Sequence, residues 1–259
     1  MAMKCLLPLL VSACLATNAS AGLSEWGSKA LSIFKDSPAS DAIADSAFGS
    51  AEELAIALRE ALAVSAERAL TDLSQKGGFA NSELYRIPLP KTVESLRKPL
   101  SLVGQEDLLD SFQATLNRAA EEGVAAAPSV VKSAIQSLTL EDLNELWKGE
   151  DDAITRFLEK RSRAKLAERT LPLIANATNS TGATRSYKKI HDALPQPSGG
   201  FFSRVQTFTG LKSSDFDLDT YVNDQALDSL FAAMAAEEKA IRENPLSRST
   251  DLLKKLFGN

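Results

Sequence analysis

The sequence predicts an all-α protein, a single-domain bundle of about eight to ten helices with one Pro/Gly-rich loop. Three observations lead there. Apolar residues recur at helical spacing along almost the whole chain, the periodic runs open at capping residues and close at Gly or Pro, and no alternating apolar–polar run long enough for a strand occurs.

Residues 1–21 read as a secretory signal peptide. Lys4 supplies a short positive start, Cys5 to Leu15 is an apolar run with one proline, and Ala19-Ser20-Ala21 is a small-residue cleavage pattern. The run is too short for a membrane span and a polar chain follows it, so no transmembrane segment is expected once the signal is removed. Cleavage before Gly22 is expected. A competing pattern, Val11-Ser12-Ala13-Cys14, resembles a bacterial lipobox, in which Cys14 would be lipidated and become the new N-terminus. Residues 22–45 would then be a lead segment and 46–259 the helical domain.

Cleavage at Gly22 removes both cysteines, Cys5 and Cys14. That excludes a disulfide, thiol catalysis and thiolate metal ligation. A single histidine, His191, cannot build a multi-histidine zinc site, so neither metal nor other cofactor is expected. The remaining chain is long enough for one sizeable core, and packing alone must stabilise it.

The elements follow in order. Ser50 with Glu53 is a capping box, and Leu54, Leu58, Leu62, Ala69 and Leu73 trace one helical face up to Gly77-Gly78. The segment GGFANSELYRIPLP, residues 77–90, reads as an ordered loop, because Pro88 and Pro90 push Ile87 and Leu89 away from helical angles. Its YRIPLP end is either a recognition strip or a plug at a core edge. A short helix from Thr92 is interrupted at Pro99, and a longer one runs from about Gln105 past Glu121, bending or restarting near Gly123 and Pro128. Thr139 with Asp142 opens another helix that ends at Gly149. Asp151 and Asp152 favour the start of the next, which carries Ile154, Phe157 and Leu158 inward. A further helix is expected over roughly Arg163 to Ala177, then a turn at ATNSTGAT and a helix around Tyr187. Residues 195–216 are the Pro/Gly/Ser-rich loop, with a short helix at Phe201 to Phe208. Leu227, Leu230, Phe231, Met234 and Ile241 define the best-patterned helix, ended by Pro245. Leu252, Leu253, Leu256 and Phe257 close the chain as a short amphipathic helix.

Charge is uneven. The chain is acidic, with a formal net charge of −5. Between Arg156 and Lys189, however, Arg156, Lys160, Arg161, Arg163, Lys165, Arg169, Arg185, Lys188 and Lys189 face only Glu159 and Glu168. A basic middle either matches acidic neighbours within the molecule or presents an anion-facing surface. Nucleic acid is not expected as a partner of an exported, acidic chain with few aromatics near its basic run.

Signatures of nucleotide binding and acyl transfer are missing: there is no phosphate-binding loop, no dinucleotide glycine fingerprint and no G-x-S-x-G elbow. The pattern S-x-x-K recurs at Ser32, Ser95, Ser129, Ser162 and Ser186 without a KTG or SDN companion. What remains is polar residues on apolar stripes. Asp110, Gln113, Asn117 and Glu121 form one helical stripe beside Leu109, Leu116 and Ala120. Arg118 lies one step round, within reach of Glu121 or Glu122, in the weaker orientation for a helical ion pair. Glu238 falls on the stripe of Leu227, Phe231, Met234 and Ile241, Glu237 shares that of Leu230 and Met234, and Arg242 follows Glu238 by one turn. A carboxylate on a core stripe needs a partner. Arg86, Arg118, Arg156 and Arg242 are the candidates. The set Arg86, Asn117, Arg118, Glu121, Arg156, Glu237, Glu238 and Arg242 is therefore read as a buried polar cluster or as the lining of a ligand cleft. A two-carboxylate hydrolytic site is the third reading.

The strings GGF and RIPLP, then NRAAE, then LDTYVNDQALDSLFAAMAAEEKAIRENP, then STDLLKKLFG, resemble in order an uncharacterised bacterial family, domain of unknown function 4197. The likeness runs from about residue 40 to 258. The resemblance implies a mostly helical, exported or lipid-anchored envelope protein, and it carries no activity to transfer. Departures from the family pattern fall at Leu138, at Ile154-Thr155 with Phe157-Leu158, and over Pro195 to Asp215, a stretch particular to this sequence. The expectation is a periplasmic or secreted protein that acts by binding a small amphipathic or anionic envelope component (lipid or glycan) or a protein partner. Its rivals are a purely structural helical protein and a carboxylate-dependent cell-wall hydrolase.

Overall fold

The structure, a computed structural model, describes residues 48–139, 146, 149–193 and 217–258. The signal peptide, Cys14, the lead segment, the helix expected from Thr139 and the loop over 195–216 fall wholly or mostly outside the described residues. Among those residues the fold is all-α, with no strand.

Four long helices form the frame: α1 (Ala51–Ser74), α4 (Asp107–Ala125), α6 (Ala153–Ser180) and α8 (Leu218–Glu243). They close a ring in which α1 packs on α4, α4 on α6, α6 on α8 and α8 on α1. Two short helices, α2 (Lys91–Glu94) and α3 (Arg97–Ser101), precede α4. Around the frame, α5 (Pro128–Gln136) lies on α1 and α6, α7 (Ala183–Ala193) on α4 and α6, and α9 (Asp251–Phe257) on α1. A 3₁₀ turn at Pro245–Ser247 links α8 to α9.

α1 opens as its sequence predicts. The Ser50 hydroxyl accepts from the Glu53 amide, and the Glu53 carboxylate reaches back to the Gly49 amide, one residue earlier than in the standard reciprocal box. Neighbours on several sides explain why Leu54, Leu58, Leu62 and Leu73 are buried together with Ala55, Ala57, Ala61 and Ala66. The alanines let adjoining helices approach closely. Gly123 on α4 does the same for α6, since a Cβ there would fall 2.2 Å from Ile174 Cδ1.

Two expectations about helix breaks are corrected. The break before α4 lies at Ser95-Leu96, not at Pro99, which sits inside α3. Pro99 has no N–H to give the Ser95 carbonyl and its ring crowds that oxygen, so the helix parts one turn upstream. The separate helices expected before and after Arg163 are one continuous helix, α6, which carries Pro172 in its interior and runs through Asn179-Ser180. Pro172 and Glu168 are both exposed, so the turn that loses its hydrogen bond lies on the outer side of α6.

Candidate functional site

The polar residues singled out in the sequence separate into two buried fastenings, one half-buried ion pair and three exposed arginines. The first fastening joins α4 to the 77–90 loop. The Asn117 side chain is 1% exposed; its Oδ1 accepts from Ile87 N at 2.8 Å and its Nδ2 donates to Ile87 O at 3.1 Å. Gln113, one turn back, donates to the same carbonyl at 3.1 Å. Glu121, one turn on, accepts from Gly77 N at 3.0 Å and from Phe79 N at 3.4 Å. This stripe therefore offers a backbone-like row of acceptors and donors to a segment with no strand or helix to satisfy it.

The loop's own sequence suits that docking. Gly77 adopts a positive φ of 88°, and a Cβ on Gly78 would fall 2.4 Å from the Asp72 carbonyl at the end of α1. The double glycine thus lets the chain turn tightly off α1 and drive Phe79, fully buried, into the core. Ser82 caps the amides of Leu84 and Tyr85. From α8, the Tyr221 hydroxyl donates to Pro88 O at 2.8 Å and Ser229 to Tyr85 O at 3.4 Å. Ile87 and Leu89 are buried, whereas Leu84 at the tip is 84% exposed. The YRIPLP end plugs a core edge.

The second fastening joins α8 to α6. Glu238, 1% exposed, accepts from Ile154 N at 3.2 Å and Thr155 N at 2.8 Å, so it caps the α6 N-terminus from a neighbouring helix. Arg242 completes it with an ion pair at 2.9 Å, its guanidinium lying 4.8 Å from the centre of the Phe257 ring on α9. Glu237 turns the other way and pairs with Arg68 of α1 at 3.1 Å; Arg68 also donates to Ser247 O.

The remaining candidates are apart from both fastenings. Arg86 donates to the Ala80 carbonyl within the loop, Arg118 pairs at the surface with Glu122, and Arg156 pairs with Asp152. An open groove of about 480 Å³ between the start of α6 and α8 is lined by Glu150, Asp151, Asp152, Arg156, Ala235, Ala236 and Lys239. Arg156 is the one sequence candidate that borders it. Among the described residues no group of His, Cys, Asp and Glu side chains is placed to hold a metal ion, and no helix is long and apolar enough to cross a membrane.

Two buried polar links went unread in the sequence. Thr170 of α6 donates to Asn223 of α8 at 2.6 Å, and Asn223 donates to Ala167 O at 2.9 Å. Asn223 precedes Leu227 and Leu230 on a buried stripe, the same signal that exposes Asn117.

The arrangement defines a four-helix frame with satellite helices, its buried polar groups turned inward onto backbone. Residues 49–258 match the protein family of unknown function DUF4197, and the chain belongs to that family. No curated protein and no solved structure matches it.

Proposed function

We propose that the chain is an exported interaction protein of the bacterial envelope, and that its 77–90 loop is the element it presents to a protein partner. One observation carries this reading. The loop is fastened through its backbone at Gly77, Phe79, Tyr85, Ile87 and Pro88 by side chains of α4 and α8, while Leu84 stands in solvent at its tip. A lone exposed leucine is unremarkable on a surface. Holding its flanks by side-chain hydrogen bonds lowers the ordering cost of binding, which favours recognition by a partner with an apolar pocket.

Binding is favoured over hydrolysis because the buried carboxylates of the two fastenings are engaged. Glu121 faces the loop amides, and Glu238 faces two α6 amides and Arg242. An acid–base pair for glycan cleavage needs carboxyl groups open to a cleft. Export rests on the N-terminal sequence, and mass analysis of the purified chain tests it. A start at Gly22 supports free secretion, a lipidated Cys14 supports anchoring, and an intact Met1 overturns both.

A photo-cross-linking amino acid placed at Leu84, with Lys76 as the control position, tests the loop. In its own envelope the protein is expected to give a discrete cross-linked species from position 84 and none from 76. No discrete species from position 84 would sink the reading.

A further inference from the structure

The basic middle of the chain is only partly matched inside the molecule. Arg156 pairs with Asp152, Arg163 pairs with Glu159 and Asp228, and Arg161 stacks over Phe157. Lys165 and Arg169 on α6, and Arg185, Lys188 and Lys189 on α7, are exposed and pair with no carboxylate among the described residues. Lys165 and Arg169 lie one turn apart on one face, as do Arg185 and Lys189, with Lys188 beside them. The two helices are consecutive, joined through Thr181-Gly182, and packed on each other.

We propose that these exposed stripes of α6 and α7 form an electrostatic docking face for an anionic phospholipid bilayer. Charge complementarity selects the occupant. Clusters of about four to eight basic residues at a surface are the signature of attraction to anionic headgroups. A second copy of the chain fits less well. Many of its surface carboxylates already hold cations of their own, as in Glu94 and Asp110 with Arg97, or Asp151 and Glu243 with Lys239. Those left over, such as Asp72, Glu83, Asp107, Glu168, Asp192 and Asp224, are scattered singly over α1, the 77–90 loop, α4, α6, α7 and α8, and on α6 and α7 the basic residues outnumber them. A bilayer is laterally continuous and meets two stripes on two helices without needing matched positions. The acidic balance of the whole chain adds orientation, since an anionic surface repels the other faces. These stripes share no residue with the 77–90 loop and do not depend on the partner assigned to it.

The test is co-sedimentation of the full chain with phosphatidylcholine vesicles, with and without phosphatidylglycerol. The chain is expected to sediment only with the anionic vesicles and to be released by high salt, as a screened surface attraction requires. Each basic residue removed should weaken binding about fivefold. Lys165→Gln with Arg169→Gln should therefore cost roughly 25-fold, and Arg185→Gln with Lys188→Gln and Lys189→Gln about a hundredfold. The control Lys76→Gln with Lys91→Gln should leave binding unchanged, and thermal melts should show all variants folded. Salt-resistant binding, equal binding to neutral vesicles, or no binding at all would each overturn the proposal. So would a concentration-dependent dimer that the same substitutions dissolve, which would put a second copy on this face.

Discussion

The side-chain amide of Asn117 stands beside Ile87 as a strand partner would, accepting from its N–H at 2.8 Å and donating to its carbonyl at 3.1 Å. Ile87 has no helix or sheet to meet these groups, and its side chain is buried. Asn117→Ala should therefore leave a buried donor and acceptor less satisfied and cost about 3 kcal/mol of folding stability. Urea unfolding measures it; a cost below about 1 kcal/mol would mean that water replaces the amide.

Glu238 and Arg242 make a similar case with charge. Arg242→Met keeps an unbranched apolar stem and strips the buried carboxylate of its cation, at a cost of about 3 kcal/mol. Arg118→Ala, by contrast, removes an exposed pair with Glu122 and should change stability by less than about 0.5 kcal/mol. Equal effects in the two melts would contradict the separation into buried fastenings and surface pairs.

The crossing of α4 and α6 depends on Gly123. A methyl group there meets Ile174 Cδ1 at 2.2 Å, so Gly123→Ala should cost about 1–3 kcal/mol. Ile174→Val removes the clashing carbon and should recover part of that loss in the double variant. Independent, additive losses would show that the contact is not the cause.

Acidity should act through Glu60. Burial on α1 pushes its carboxyl above the ordinary range, and a contact with the Thr250 hydroxyl pulls it partway back. The native chain thus holds a proton that the unfolded chain releases. The resulting stability is complete below the unfolded value of 4.5 and is lost as pH rises through the raised native value. Glu60→Gln should melt higher than the unaltered protein at about pH 7 and equally at about pH 4. Melting curves at the two pH values decide it; a lower melting temperature for the variant at neutral pH would contradict it.

Local relations were legible in the sequence and distant ones were not. Ser50 and Glu53 sit within one turn, so their cap could be read directly. The stripe positions of Asn117 and Glu238 marked them as buried polar groups needing partners. Their partners lie far along the chain: Ile87 is 30 residues from Asn117, Ile154 is 84 from Glu238, and Arg68 is 169 from Glu237. Spacing carries no information about such pairs. The expected break before Arg163 failed for another reason: no Gly or Pro stands between Ala153 and Arg163, and the chain continues as one helix through Ser180.

The central claim is that side chains of α4 and α8 hold the 77–90 loop in one conformation. Hydrogen exchange at the Phe79 and Ile87 amides tests it most directly, since both are given to side chains of α4. The account predicts protection at both positions in the native protein, with Ile87 losing it selectively in Asn117→Ala while α1 stays protected. Rapid exchange at both amides in the unaltered protein would contradict it.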